Sequence, residues 1–230
     1  MKILLTNDDG IDAPGLAALA ATLAAETAIE LLVVAPDRQR SECSHSVTTA
    51  TPLQLDPRGE GRWAVNGTPV DCVRLALTVL APDIGGVLAG VNEGANVGAD
   101  VYMSGTAAAA REAAIRGVPA AAISHYRRPD VPRSWEHVPR WLAGRLLPLL
   151  TTRHATARFW NVNLPAVDPA SNPAVVETAL DRHPMPLAYA PHGDGLAYRV
   201  DYHNRPRQPG SDVAECFAGK ISLTQLVAGF

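Results

Sequence analysis

Aromatic residues are scarce in this chain, at 5% of 230 residues with only three phenylalanines, so its core has to be built from aliphatic side chains and alanine. Cysteine is scarcer still. Cys43, Cys72 and Cys216 are odd in number and far apart. No CxxC spacing exists, which excludes a disulfide scaffold and a thiolate zinc site and fits a reducing compartment. No run of eighteen apolar residues occurs, so no membrane-spanning helix is expected. The apolar run after Met1 is too short for a secretory signal and meets Asp8 and Asp9 at once. The cytoplasm is the expected location. Excess positive charge is also absent: the net charge is −3 and the pI near 6.1, which gives no face for duplex nucleic acid.

Several catalytic signatures are missing as well. There is no GxxxxGK[ST], no GxGxxG after the first apolar run, no GxSxG and no HExxH. The seven histidines are scattered and give no zinc spacing. P-loop, nicotinamide, serine-hydrolase and zincin chemistries therefore have no support.

What is present is an alternation. Apolar runs at residues 3–6, 31–35, 84–91, 120–124 and 158–163 read as buried strands. Between them, Pro14 to Glu26, Val70 to Leu80, Gly105 to Arg116 and Trp135 to Leu150 read as helices. Strand, helix, strand within about 35 residues predicts parallel pairing with a right-handed crossover. The expected fold is a three-layer α/β/α, Rossmann-like, open and mostly parallel sheet. After Leu164 the texture changes: Pro165, Pro169, Pro173, Pro184, Pro186, Pro191, Pro206 and Pro209 interrupt the chain. Residues 1–164 are thus expected to form the catalytic α/β unit with the metal and phosphate site, and 165–230 a hairpin-and-tail extension that completes the same domain and serves oligomerisation.

Open α/β sheets bind ligands at the carboxyl ends of their strands. Three polar segments fall there: Asn7 to Gly10, Asp37 to Ser46, and Asn92 to Thr106. Adjacent carboxylates repel unless a cation lies between them, and hard oxygen donors select Mg²⁺, Mn²⁺ or Ca²⁺. In a regular strand Asp8 and Asp9 would face opposite ways; they converge only if the chain is already turning, which Gly10 permits. Asp-Asp-Gly by itself also fits an Asx turn with both carboxylates solvated. The third segment has glycines at 90, 94 and 98 and reaches Ser104-Gly105-Thr106 where an Ala-rich helix begins. Free N–H groups and hydroxyls at a helix start form an anion cradle, or an ordinary N-cap. His45, between Ser44 and Ser46, reads either as a substrate contact or as a solvated loop histidine.

Four motifs in order then carry a resemblance: Ile3 to Gly10 with Ala13-Pro14-Gly15; Ala35 to Ser41; Gly67 to Val73; and Gly90 to Gly98 with Asp100 and Ser104 to Ala109. From Met1 to about Leu226 the chain resembles the SurE family, the survival-protein 5′/3′-nucleotidases. The resemblance implies one divalent cation per subunit, Mg²⁺, Mn²⁺ or Ca²⁺, held by Asp8, Asp9, Ser41 and Asn92. It implies phosphate contacts from Asn96, Ser104, Gly105 and Thr106, nucleoside 5′- and 3′-monophosphates as substrates, and a homodimer or homotetramer. Asp8 and Asp9 are the expected catalytic residues. The alternatives are a broad phosphomonoesterase or exopolyphosphatase, and a nucleotide-binding protein without turnover. The chain departs from the family pattern at Glu42, Cys43 and His45, at Met103, where Tyr is usual, and at Gln225, where Pro is usual.

Overall fold

A computed structural model describes residues 1–41, 43–151 and 157–228; Glu42 lies outside the described residues. In chain order the elements are β1 (Lys2–Thr6), α1 (Pro14–Leu23), β2 (Glu30–Pro36), β3 (Leu55–Pro57), β4 (Arg62–Val65), α2 (Pro69–Leu75), β5 (Gly86–Glu93), α3 (Gly105–Ile115) and β6 (Ala120–His125). They continue with α4 (Val138–Leu142), α5 (Leu146–Leu149), β7 (Arg158–Leu164), β8 (Val175–Thr178), β9 (Tyr189–His192), β10 (Gly195–Tyr198), α6 (Asp212–Phe217) and β11 (Ile221–Val227). A π-helical turn, Ala76–Leu80, prolongs α2, and a 3₁₀ turn, Gly98–Tyr102, precedes α3.

Nine strands form one sheet in the order β3-β4-β2-β1-β5-β6-β7-β11-β8. From β4 to β7 every neighbouring pair is parallel. The expected mostly parallel α/β/α sheet is what forms. The chain steps from β1 to β2 on one side and returns to place β5 on the other. The boundary between β1 and β5 is therefore a topological switch point, where a crevice opens at the carboxyl ends.

Burial follows the period of two that a strand dictates. Ile3 and Leu5 pack with Leu16, Leu19, Trp141 and Leu142 on the α1/α4 side. Leu4 packs with Val73, Ala76 and Ala110 on the α2/α3 side. Both faces are covered, so β1 reads as a continuous apolar run rather than an alternating one. Each fully buried Leu or Ile contributes about 1.5–3 kcal/mol. Helix α3 buries Ala107, Ala108, Ala109 and Ala110 completely, and their small side chains let it lie close on β5 and β6.

Two expectations need correction, and one pair of strands comes in addition. Residues 135–150 do not make one helix. Ala143 is extended and Gly144 has φ +67°, which splits the segment into α4 and α5. Short strands β3 and β4 edge the sheet beside β2, in a region with no strand-length apolar run. Beyond Leu164 the chain is more than hairpin and loop: β11 runs antiparallel to β7 and parallel to β8, so both join the main sheet. Only β9 and β10 form a separate hairpin.

Candidate active site

The first strand stops at Thr6, and the next four residues turn sharply. Asn7 fixes the turn with its own amide, donating from Nδ2 to Gly10 O at 2.8 Å and accepting from Gly10 N at 3.2 Å. Gly10 sits at φ +104°, a conformation an L side chain rarely adopts. The turn is tied to the next loop by Arg40 N donating to Asp8 O at 2.7 Å. Outside the strand the alternation no longer applies, and Asp8 and Asp9 line the same cleft.

That cleft has a volume of about 280 Å³, at the small end of the roughly 300–1,000 Å³ usual for ligand sites. Of the residues expected at a site, Asp8, Asp9, Ser41, Asn92, Asn96 and Ser104 line it. Gly105 and Thr106 do not line it and stand immediately behind Asp8. Thr106 Oγ1 donates to Asp8 Oδ1 at 2.5 Å. A Cβ on Gly105 would lie 2.7 Å from Cys43 Sγ and 3.1 Å from Asp8 Oδ2, so a side chain here would press on the Cys43 thiol and the Asp8 carboxylate.

The electrostatics are lopsided. Among the described residues the lining also includes Glu93 and Asp100, four carboxylates in all, and no Lys, Arg or His. Two are neutralised from outside. Asp100 is paired with Arg205 at 3.0 Å, and Glu93 with Arg133 at 3.4 Å and Arg127 at 3.8 Å. Asp8 and Asp9 have no ion pair among the described residues. Burial pushes the Asp8 carboxyl up to about 6; the Thr106 hydroxyl opposes this and the Asp9 charge adds to it. Asp9 is also raised, by burial first, against the backbone N–H of Glu93 that it accepts at 3.0 Å.

Ser104, which also lines the cleft, caps α3, its Oγ accepting from Ala107 N at 3.0 Å. The hydroxyl proton is left to donate elsewhere. Asn96 is held by residues at the ends of β6 and β7. Its Nδ2 donates to Ser124 Oγ at 2.7 Å, and its N–H to Asn163 Oδ1 at 2.9 Å. Its carbonyl accepts from Asn161 Nδ2 at 2.7 Å and Asn163 Nδ2 at 3.1 Å. Ser124, Asn161 and Asn163 are fully buried and went unnoticed in the sequence. The available signal was amides at alternate positions of a strand that is otherwise apolar after Arg158. Asn92 Nδ2 donates to Gly94 O at 2.8 Å, and Ser41 Oγ accepts from Gln39 Nε2 at 2.9 Å.

His45 fits neither reading open to it. It does not line the cleft, and it is no free loop residue, because its Nε2 lies 2.9 Å from Glu112 Oε2. Burial pushes Glu112 up, but His45, Arg74 and Arg116 outweigh that and hold it at about 2. This cluster anchors the loop around His45 to α2 and α3.

The donors fit a hard divalent cation. Asp8, Asp9, Ser41 and Asn92 all present oxygen, and the carboxylates that most need a counter-charge are the two with none. No group of three or more His, Cys, Asp or Glu side chains suited to a metal exists among the described residues, so Ser41 and Asn92 would have to complete the set.

The family model described as survival protein SurE matches residues 3–183. A putative 5′-nucleotidase from Nostoc sp. is 45% identical over 98% of this chain and 99% of its own. A 5′-nucleotidase SurE from Neisseria gonorrhoeae is 38% identical over 98% of this chain and 92% of its own. The crystal structure of SurE protein from Aquifex aeolicus superposes with a TM-score of 0.84 at 28% identity, covering 100% of this chain and 94% of that one. Four motifs in order, a site at the switch point and a match over most of the length agree: this chain belongs to the SurE family.

Proposed function

We propose that this protein is a divalent-metal-dependent 5′-nucleotidase, hydrolysing nucleoside 5′-monophosphates, and 3′-monophosphates as well, to nucleoside and phosphate. One observation carries the reading. The cleft gathers two unneutralised carboxylates beside the N-terminus of α3, with no cationic side chain among the described residues that line it. A phosphate monoester cannot approach that arrangement unless a cation offsets Asp8 and Asp9.

Asp8, Asp9, Ser41 and Asn92 would hold the cation, which when bound polarises a phosphoryl oxygen and lowers the pKa of a coordinated water. The remaining work belongs to the chain. Thr106 fixes the orientation of Asp8 through its 2.5 Å hydrogen bond. Ser104 donates its hydroxyl proton to the phosphate, and the positive end of the α3 dipole favours the charge that develops there. Asn96, fixed by Ser124, Asn161 and Asn163, holds the phosphate from the other side. Asp8 or Asp9 orients the attacking water and takes its proton.

The names of the relatives, 5′-nucleotidase and 5′-nucleotidase SurE, support the substrate class. The free thiols of Cys43, Cys72 and Cys216 fit the cytoplasm as the place of action. Leu187, Tyr189, Leu196 and Tyr198 are exposed on and beside the β9–β10 hairpin, which supports a homodimer or homotetramer assembled through it. No helix among the described residues is long and apolar enough to cross a membrane.

The decisive experiment is phosphate release from a panel of 5′- and 3′-nucleoside monophosphates, p-nitrophenyl phosphate and polyphosphate, after EDTA treatment and after adding Mg²⁺, Mn²⁺ or Ca²⁺. Turnover of 5′-monophosphates only with metal restored supports the reading. Activity confined to polyphosphate, or tight nucleotide binding without release in any metal, would replace it.

A further inference from the structure

Asp100 is an anomaly in a cleft meant for an anion. It lines the same space as Asp8, Asp9 and Ser104, and it belongs to the 3₁₀ turn joining Asn96 to α3. An unpaired carboxylate there would repel the phosphate that the neighbouring groups attract.

Its counter-charge comes from 105 residues away. Arg205, buried at 6% exposure, donates from Nη1 to both Asp100 oxygens at 3.0 Å. Its Nη2 donates to Val97 O at 2.8 Å. Its guanidinium lies 4.8 Å from the centre of the Tyr202 ring, and Tyr202 OH donates to Asp100 Oδ2 at 2.7 Å. Asp212 supports the same turn, accepting from Gly98 N at 2.8 Å. The wall between Asn96 and Ser104 is thus gripped from behind by residues that follow Leu164.

We infer that Arg205 is a positioning residue for the phosphate subsite: it cancels the Asp100 charge and fixes the Gly98–Tyr102 turn from which Ser104 is presented. Resting on the nucleotidase reading, this assigns a role in binding substrate to a residue outside the cleft. The ion pair's two members have opposite effects on an incoming anion. Removing Arg205 leaves a third unpaired carboxylate in the cleft, whereas removing the Asp100 charge leaves a cation behind it.

The test is a charge cycle on the full-length, metal-loaded protein with AMP: wild type, Arg205→Met, Asp100→Asn and the double variant. Each is read by KM and kcat and by the Tm shift that AMP induces. Arg205→Met is expected to raise KM at least tenfold, with kcat within about fivefold of wild type. Asp100→Asn should leave KM unchanged or lower it. Asp100→Asn in the Arg205→Met background should return KM to within threefold of wild type, with the AMP-induced Tm shift restored in parallel. A double variant as impaired as Arg205→Met, or a fall in kcat and Tm with KM unmoved, would overturn the assignment. Should Arg205→Met fail to fold, Arg205→Lys carries the test. It keeps the charge and loses the two-oxygen grip, so KM should stay within threefold, and a tenfold rise would sink the charge argument. The two readings fail separately. A wild type that cleaves p-nitrophenyl phosphate but no nucleotide refutes the nucleotidase reading, and the cycle then runs on that ester with the same expected signs.

Discussion

Thr106 Oγ1 donates to Asp8 Oδ1 at 2.5 Å where Thr106 is fully buried and Asp8 is 7% exposed. A buried carboxylate that loses a donor bears a desolvation cost of about 1–3 kcal/mol. Thr106→Val keeps the shape and deletes the hydroxyl. It should lower kcat ten- to a hundredfold and lower Tm, while Thr106→Ser, which keeps the donor, should stay within about threefold of wild type. Kinetics and thermal melts of the two variants together check this. Equal losses in both would mean that the methyl group, and not the hydrogen bond, is what matters.

Metal binding should be visible without turnover. A ligand that binds only the folded state stabilises it by about 2.7 kcal/mol when present at a hundred times its Kd. Mn²⁺ or Mg²⁺ added to EDTA-stripped protein should therefore raise Tm by several degrees. Asp8→Asn and Asp9→Asn should each abolish that rise and cut phosphate release by two or more orders of magnitude. Asp8→Asn should also melt higher than stripped wild type, because it removes a buried charge that has no ion-pair partner among the described residues. Differential scanning calorimetry with and without metal reads both effects; a full metal-induced rise in Asp8→Asn would remove that residue from the cation site.

The elements nearest the site were the most legible. β1, β2, β5, β6 and β7 are buried on both faces and so appear as apolar runs, and Gly10 and Gly105 mark the turns that bring the carboxylates and the α3 N-terminus together. What escaped depends on distant partners. β3 and β4 have three and four residues, and only pairing with β2 makes them strands. β11 was hidden because its neighbours, β7 and β8, come from two separate stretches of chain. Asn163 was visible as a strand end, yet nothing local indicates that its amide meets Asn96, 67 residues away. Arg205 was invisible for the same reason.

Ser104 has two duties that one substitution confuses and two can separate. Its Oγ caps α3 by accepting from Ala107 N at 3.0 Å, and its hydroxyl, on the cleft lining, keeps a proton to donate. Ser104→Ala should cost about 1 kcal/mol of stability through the lost cap, and raise KM for AMP. Ser104→Asp retains an N-cap acceptor and so should restore most of the Tm, yet it sets a carboxylate where phosphate binds. AMP hydrolysis should then fall below that of Ser104→Ala. If Ser104→Asp instead recovers activity along with Tm, the cap alone explains the residue.

The last prediction concerns acid. His125 Nδ1 lies 2.8 Å from Tyr126 O, a pure acceptor, so Nδ1 carries the proton and Nε2 of the neutral ring accepts. The His137 Nε2 that faces it at 2.8 Å must then be the donor, which leaves His137 Nδ1 bare and, among the described residues, without a partner. One added proton creates a buried N–H at His137 Nδ1 with no acceptor; a second sets two N–H groups head-on. Burial first, and then Arg127, hold His125 down at about 3, and burial, Arg127 and Arg140 hold His137 at about 4. In the unfolded chain both titrate near 6.5. Between pH 6.5 and 4 the unfolded state therefore binds more protons, and stability falls as pH falls, by on the order of a few kcal/mol. Asp8, raised to about 6, pulls the other way over part of that window, so the comparison has to be with a variant and not with pH alone. His137→Gln supplies an amide N–H to His125 without titrating. The Tm difference between His137→Gln and wild type should grow in favour of the variant from pH 7 to pH 4.5. His125 O also accepts from Gly94 N at 3.0 Å, so acid should loosen the cleft wall before the sheet melts. The protection of the Gly94 amide, taken from hydrogen exchange corrected for the intrinsic rate at each pH, should fall with falling pH in wild type and stay level in the variant. A pH-independent Tm difference would show that the imidazole pair does not titrate as its surroundings require.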